Sequence, residues 1–238
     1  MHPLDRADLL IATHRFGAAR RELDALLASD RFGEDDLSGW ERALAHALLL
    51  EVRAQRSPDG ALALVERVLS GPVPLAQAWE DADGWRRSLL AWKSEQQLWA
   101  PKPVDALSEA RRLIDEAEAT PRAPGDRSAD VLNLRATAEL HDFLASTPHG
   151  PAAARALSLL SVSYWRIGEL DLWSLARLYD EACIREAPHT DIASACYERY
   201  ADLVFVDDAG NGGRLSPAAQ QRLKTFHDLA AGVSRVRH

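Results

Sequence analysis

The sequence predicts an all-α fold of about ten or eleven helices, arranged as antiparallel hairpins that stack into a solenoid. Three observations lead there. Apolar residues recur at helical spacing nearly throughout, and no run alternates as a strand would. Proline, glycine and capping residues interrupt that pattern and divide the chain into segments of helical length. One such interruption, Thr147-Pro148-His149, recurs 40 residues later as Ala187-Pro188-His189.

Helices are expected over 3–13, 16–30, 36–55, 58–70, 75–98, 103–119, 128–146, 151–166, 171–187, 190–205 and 217–232. Ser57-Pro58 and Ser216-Pro217 each read as an N-cap followed by proline at the first helical position, where the missing amide costs nothing. Ser38-Gly39-Trp40-Glu41 fits a capping box, with the glutamate placed to reach back to the cap amide. Connections are short, so consecutive helices should pack antiparallel. The stretch 120–127, rich in Pro, Gly and charge, divides the chain into N-terminal hairpins over 1–120 and C-terminal repeats over 128–238, expected to run on as one continuous solenoid. The stretch 207–216, with Asp207, Asp208, Gly210, Asn211, Gly212 and Gly213, reads as a flexible turn.

The offset of 40 also pairs Ala136 with Ala176, Leu144 with Ile184 and Ala153 with Ala193, and sets Leu157 and Leu160 opposite Tyr197 and Tyr200. Each copy reads as a helix, a proline break and a second helix. A unit of that length cannot bury its own apolar face and must stack on neighbours. At these residues the chain resembles the tetratricopeptide-repeat family. Ala136, Leu140, Phe143 and Pro148 follow the spacing of that family's second helix. Leu175, Tyr179 and Ala182 follow it with Pro188 one residue late; Ala110, Ile114 and Ala117 follow it with Pro121 one early; Ala19, Leu23 and Leu26 follow it without the proline. Tyr164 and Gly168 match the end of a first helix. Spacings vary and no strict 34-residue period holds, so the resemblance is to a degenerate form, clearest over 130–205. It implies a right-handed, tetratricopeptide-like α-solenoid. The stretch from Phe143 to Tyr200 also resembles repeat segments of bacterial envelope lipoproteins and of the helical accessory component of periplasmic transporters. That likeness implies a scaffold or docking role in the cell envelope.

The 238 residues carry a net charge of −8, with 47% apolar and 27% charged residues. Lys and Arg are spread along the chain, which disfavours a nucleic-acid partner, since such partners select a clustered basic patch. Of 28 cationic residues only Lys93, Lys102 and Lys224 are lysine, a bias that points to GC-rich bacterial coding. No apolar run is long enough for a transmembrane segment. The start, Met1-His2-Pro3-Leu4-Asp5, lacks the pattern of a signal peptide, which leaves a cytoplasmic location or, for a processed chain, a periplasmic one.

Cys183 and Cys196 lie about equally far from the turn centred near residue 189, at the same height of an expected hairpin. Two readings stand: a pair of small core residues, or a disulfide suited to an oxidising compartment. Trp85, Trp92 and Trp99 recur every seven residues on one helical face. They are read as a core seam, or as an aromatic groove for a partner helix or an apolar small molecule. Trp165 and Trp173 flank the Gly168 turn and are candidates for one end of a partner surface.

No catalytic motif is visible. HExxH, GxSxG, DDxxD and a Walker lysine are all absent. Glu186 and His189 are separated by a helix-ending proline, so they do not share a helical face. His149 and His189 occupy equivalent turn positions, and His141-Asp142 is a lone pair. Glu34-Asp35-Asp36, Glu80-Asp81 and Asp207-Asp208 suit helix starts and solvated turns. The expectation is a non-catalytic scaffold without catalytic residues, metal or cofactor, binding another protein or peptide. The alternative is an accessory protein of a transport system that binds an apolar small molecule.

Overall fold

A computed structural model describes residues 3–13, 15–28, 37–70, 76–98, 105–120, 126–167, 173–209 and 215–231. It is all-helical over them, with eleven α-helices: α1 (Pro3–Ala12), α2 (Phe16–Leu27), α3 (Leu37–Leu49), α4 (Pro58–Ser70), α5 (Ala76–Leu98), α6 (Ala106–Ala119), α7 (Ser128–Ser146), α8 (Pro151–Arg166), α9 (Trp173–Glu186), α10 (Asp191–Ala209) and α11 (Pro217–Ala230). These bounds follow the sequence reading closely because the signals that set them are local. Ser57 Oγ accepts from the Gly60 amide at 2.9 Å, and Ser216 Oγ accepts from the Ala219 amide at 3.2 Å. The Ser38 side chain lies outside the described residues. Helix α10 runs four residues past its expected end, so Asp207 and Asp208 belong to its last turn instead of a loop. Among the described residues, no helix is long and apolar enough to cross a membrane.

The chain packs as two compact units, one of residues 1–104 and 112–138, the other of residues 105–111 and 139–238. The division runs through α6 and α7 and not through the 120–127 linker.

In the N-terminal unit, α1 packs on α2, α2 on α3 and α4 on α5. Ala19, Leu23 and Leu26, spaced four and three apart, form the buried stripe of α2. Helix α3 continues into a π-helical segment, Leu50–Ala54, where the Gln55 amide reaches back five residues to the Leu50 carbonyl. The widened turn buries Glu51, whose carboxylate pairs with Arg20 of α2; Arg20 also bonds Asp24 at 2.9 Å. At Gly60, beside it, a Cβ would meet the Glu51 carboxylate, which would have to shift. Asp8 of α1 takes Arg42 at 2.9 Å and lies 2.8 Å from His46 Nδ1, both on α3. Burial pushes the Asp8 carboxyl up, and the His46 and Arg42 contacts outweigh it, leaving the group below its usual range.

The start of α7 lies against α5. At Gly84 a Cβ would come within 3.2 Å of the Ser128 amide nitrogen, so only glycine permits this approach without displacement. Ser88 Oγ donates to the Ser128 carbonyl. Arg127 Nε donates to Asp130 Oδ2 at 2.5 Å, and Trp85 Nε1 donates to the same oxygen at 3.2 Å.

In the C-terminal unit, α8 packs on α9, α9 on α10 and α10 on α11; α8 also touches α10, and α9 touches α11. Four residues, 187–190, join α9 and α10. The core around them holds Ile184, Ala193, Tyr200, Leu223 and Phe226, with the Tyr200 and Phe226 rings edge-on at 4.9 Å. Cys183 of α9 and Cys196 of α10 lie in that core as a disulfide, with Cα atoms 6.4 Å apart. Gly150 precedes α8 with φ +97°, a conformation that side chains rarely adopt. Its amide donates to Glu186 Oε1 at 2.6 Å, tying the start of α8 to the end of α9.

Candidate partner-binding groove

In the C-terminal unit, the first residues of α6 and the helices α8 and α10 leave an open groove of about 580 Å3 between Leu107, Ser108 and Arg111 of α6, Arg155, Ser158 and Leu159 of α8, and Asp191, Ile192 and Ala195 of α10. Local sequence explains each wall. On α8 the three residues stand at i, i+3 and i+4, one turn of one face. On α6 the start is held by Asp105, whose carboxylate accepts from the Ser108 amide at 3.0 Å and the Ser108 hydroxyl at 2.8 Å. Those Ser108 bonds hold the Asp105 carboxyl below its usual range. On α10 the Thr190 hydroxyl caps the first turn, accepting from the Ala193 amide at 3.3 Å. The volume falls in the range of ligand sites, and the lining combines aliphatic side chains with a few charges, as binding sites do.

A buried ionic network lies behind the α8 wall. Arg199 of α10 donates through Nη2 to Asp180 Oδ1 at 2.8 Å and to Ser158 Oγ at 2.9 Å, and the same nitrogen lies 3.2 Å from Cys196 Sγ. Asp180 is fully buried. Burial pushes its carboxyl up to about 6, and the Arg199 guanidinium offsets that only in part. The folded chain therefore holds this proton more tightly than the unfolded chain does, whose carboxyl titrates near 3.8. The group's contribution to stability is highest below 3.8 and falls as pH rises to about 6. The interval corresponds to roughly 3 kcal/mol. In urea unfolding across that interval, Asp180→Asn is expected to remove this slope. Parallel pH profiles for the two proteins would show that Asp180 titrates as an ordinary surface carboxylate.

Of the tryptophans singled out by sequence, Trp85 and Trp92 are interior, at 2% and 7% exposure, which corrects their reading as partner surface. Charged side chains come against both rings. Arg127 lies over the Trp85 ring at 5.8 Å, and Arg135 lies over Trp92 at 4.9 Å. Trp92 does border a second cleft, of about 540 Å3 in the N-terminal unit, but with Arg87, Glu95, Glu116, Asp126 and Arg135 around it. Trp165 stands half-exposed at the end of α8. Trp99, and the side chain of Trp173, lie outside the described residues. The structure therefore does not bring the five together.

The histidines at the repeated break are turn residues. His149 lies on the surface, 3.3 Å from Glu186 Oε2. His189, at φ +62°, donates its amide to the Leu229 carbonyl at 2.9 Å and sets Nδ1 3.0 Å from the Ala231 carbonyl, closing the end of α11. His141 Nε2 lies between the Tyr164 and Tyr179 hydroxyls at 3.1 and 3.3 Å, beneath their stacked rings. Among the described residues, no group of three or more His, Cys, Asp or Glu could hold a metal ion.

The groove residues were not singled out by sequence, because Arg155, Ser158 and Leu159 read as an ordinary helix face. Asp180 did carry a signal: it stands 40 residues after the core residue Leu140, a charge in a position that elsewhere is apolar. No protein-family model matches this chain, and no curated protein or solved structure is significantly similar to it.

Proposed function

We propose that this protein is a non-catalytic helical scaffold that holds a segment of another protein in the groove between α6, α8 and α10. The observation that carries the proposal is the groove itself, an open site of about 580 Å3 whose lining includes the aliphatic set Leu107, Leu159, Ile192 and Ala195. An open site between helices suits an extended or helical segment.

We read the C-terminal half as a degenerate, right-handed tetratricopeptide-like solenoid. Both copies of the proline break fall between helices, at 147–150 and 187–190. Ala136 and Ala176 are buried, as are Ala153 with Ala193 and Leu160 with Tyr200. Helices α8 and α10 touch, and so do α9 and α11, the next-neighbour packing that stacked hairpins require. The Cys183–Cys196 disulfide supports a place in an oxidising compartment such as the bacterial envelope. The alternative of an apolar small-molecule site around the tryptophans has less support, since the cleft beside Trp92 is walled by five charged residues.

The test is selection of random displayed peptides on the folded protein, with each enriched peptide then measured against Leu159→Asp and Ile192→Asp. Peptides that bind with Kd on the order of micromolar and weaken about tenfold in both variants are expected. Enriched peptides indifferent to both substitutions, in variants of unchanged circular dichroism, would remove the groove from the reading.

A further inference from the structure

The charges in the groove select among segments that its aliphatic lining alone would accept. Arg155 is exposed in the wall and forms no hydrogen bond or ion pair with any described residue. By contrast, Arg112, Arg127, Arg135, Arg185 and Arg199 each pair with a carboxylate. Arg111 adds a second cation from α6. The one acid in the lining, Asp191, is the first residue of α10, where the helix's own N-terminal amides favour a carboxylate. Asp191 thus has a local role that leaves Arg155 unmatched.

Ser158 gives an independent indication. It stands one turn after Arg155, and its oxygen accepts from Arg199 Nη2 at 2.9 Å. A hydroxyl has one proton to donate. With the inward side of the oxygen occupied by a guanidinium, that proton is left for the groove. The Asp180 pairing holds Arg199 in place and so fixes the direction of the hydroxyl. The α8 wall therefore presents a cation and a hydroxyl donor side by side, with Leu159 next to them.

We infer that the groove is specific for an acidic, aliphatic segment of a partner protein, in which an Asp or Glu carboxylate meets Arg155 and Ser158 while neighbouring aliphatic side chains cover Leu107, Leu159 and Ile192. The inference rests on the groove being the binding site. Its warrant is charge complementarity, since a guanidinium with an adjacent donor is the arrangement that carboxylates select. Arg155 and Ser158 are then the residues that determine specificity.

The test uses fluorescent synthetic peptides of about twelve residues, of matched length and four compositions: leucine with glutamate, leucine with lysine, leucine with glutamine, and serine with glutamate. Binding to the full chain is read by anisotropy, with sodium decanoate as a separate titrant. The leucine–glutamate peptide is expected to bind about tenfold more tightly than the other three, and more weakly as salt rises. Arg155→Glu, on an exposed position that leaves the fold intact, is expected to reverse the preference toward the leucine–lysine peptide. Ser158→Ala should weaken the leucine–glutamate peptide alone. Equal binding of all three leucine peptides, lost in Leu159→Asp but unchanged in Arg155→Glu, would overturn the acidic specificity while leaving the groove as a docking site. Binding of decanoate without binding of any peptide would overturn it in favour of a small amphipathic acid. Binding of no probe at all, or binding indifferent to Leu159→Asp, would take down the groove reading and the inference with it.

Discussion

Replacing Arg199 with Met is expected to destabilise the C-terminal unit by about 3–5 kcal/mol at pH 8, the range for removing one partner of a buried ion pair. Methionine keeps much of the length and apolar stem of arginine, so the effect reads the charge more than a cavity. What remains is a fully buried Asp180 carboxylate with its counterion gone. Its remedy is to take up a proton, and burial already pushes that carboxyl to about 6 with Arg199 present. Without Arg199 the carboxyl rises further, so protonation becomes easy at moderate pH and the loss should be much smaller at pH 5 than at pH 8. Urea unfolding followed by circular dichroism at both pH values checks this. Arg199→Met combined with Asp180→Asn should recover most of the loss, because neither charge is then left alone. A loss that does not vary with pH would mean that Arg199 contributes by packing and that the ion pair is not the source of stability.

Opening the Cys183–Cys196 bridge is the second large effect. The two cysteines are 13 residues apart in sequence, and a closed loop of that size restricts the unfolded chain by about 3 kcal/mol. Cys183→Ala with Cys196→Ala is the better probe than serine, because both positions are fully buried and serine would bury two hydroxyls. The double variant should lose about that amount in urea unfolding, and the parent protein should lose a similar amount when a strong reductant is present. Intact mass of protein prepared without reductant should be lighter by the two bridge hydrogens. Free thiols in that preparation, with unchanged stability on adding reductant, would return the pair to the role of small core residues.

The helix boundaries were legible because each is set by neighbours in sequence. Pro58, Pro151 and Pro217 begin helices that their preceding residues cap or admit, and the breaks at 147–150 and 187–190 follow from prolines that cannot continue a helix. The height match of Cys183 and Cys196 was legible for the same reason, being a count of residues from a turn. The sequence by itself thus determined an all-helical chain, the position of its elements and the facing of two cysteines. Only the tertiary structure decided which faces became interior and which became a site. Trp85 and Trp92 recur as an aromatic stripe would, yet they are buried, with Arg127, Asp130 and Arg135, some forty residues on in the chain, against them. The groove takes one face from each of α6, α8 and α10, which are never consecutive in the chain. Periodicity reports that a helix has an apolar face, but what covers that face depends on contacts between distant residues, and no local pattern encodes them.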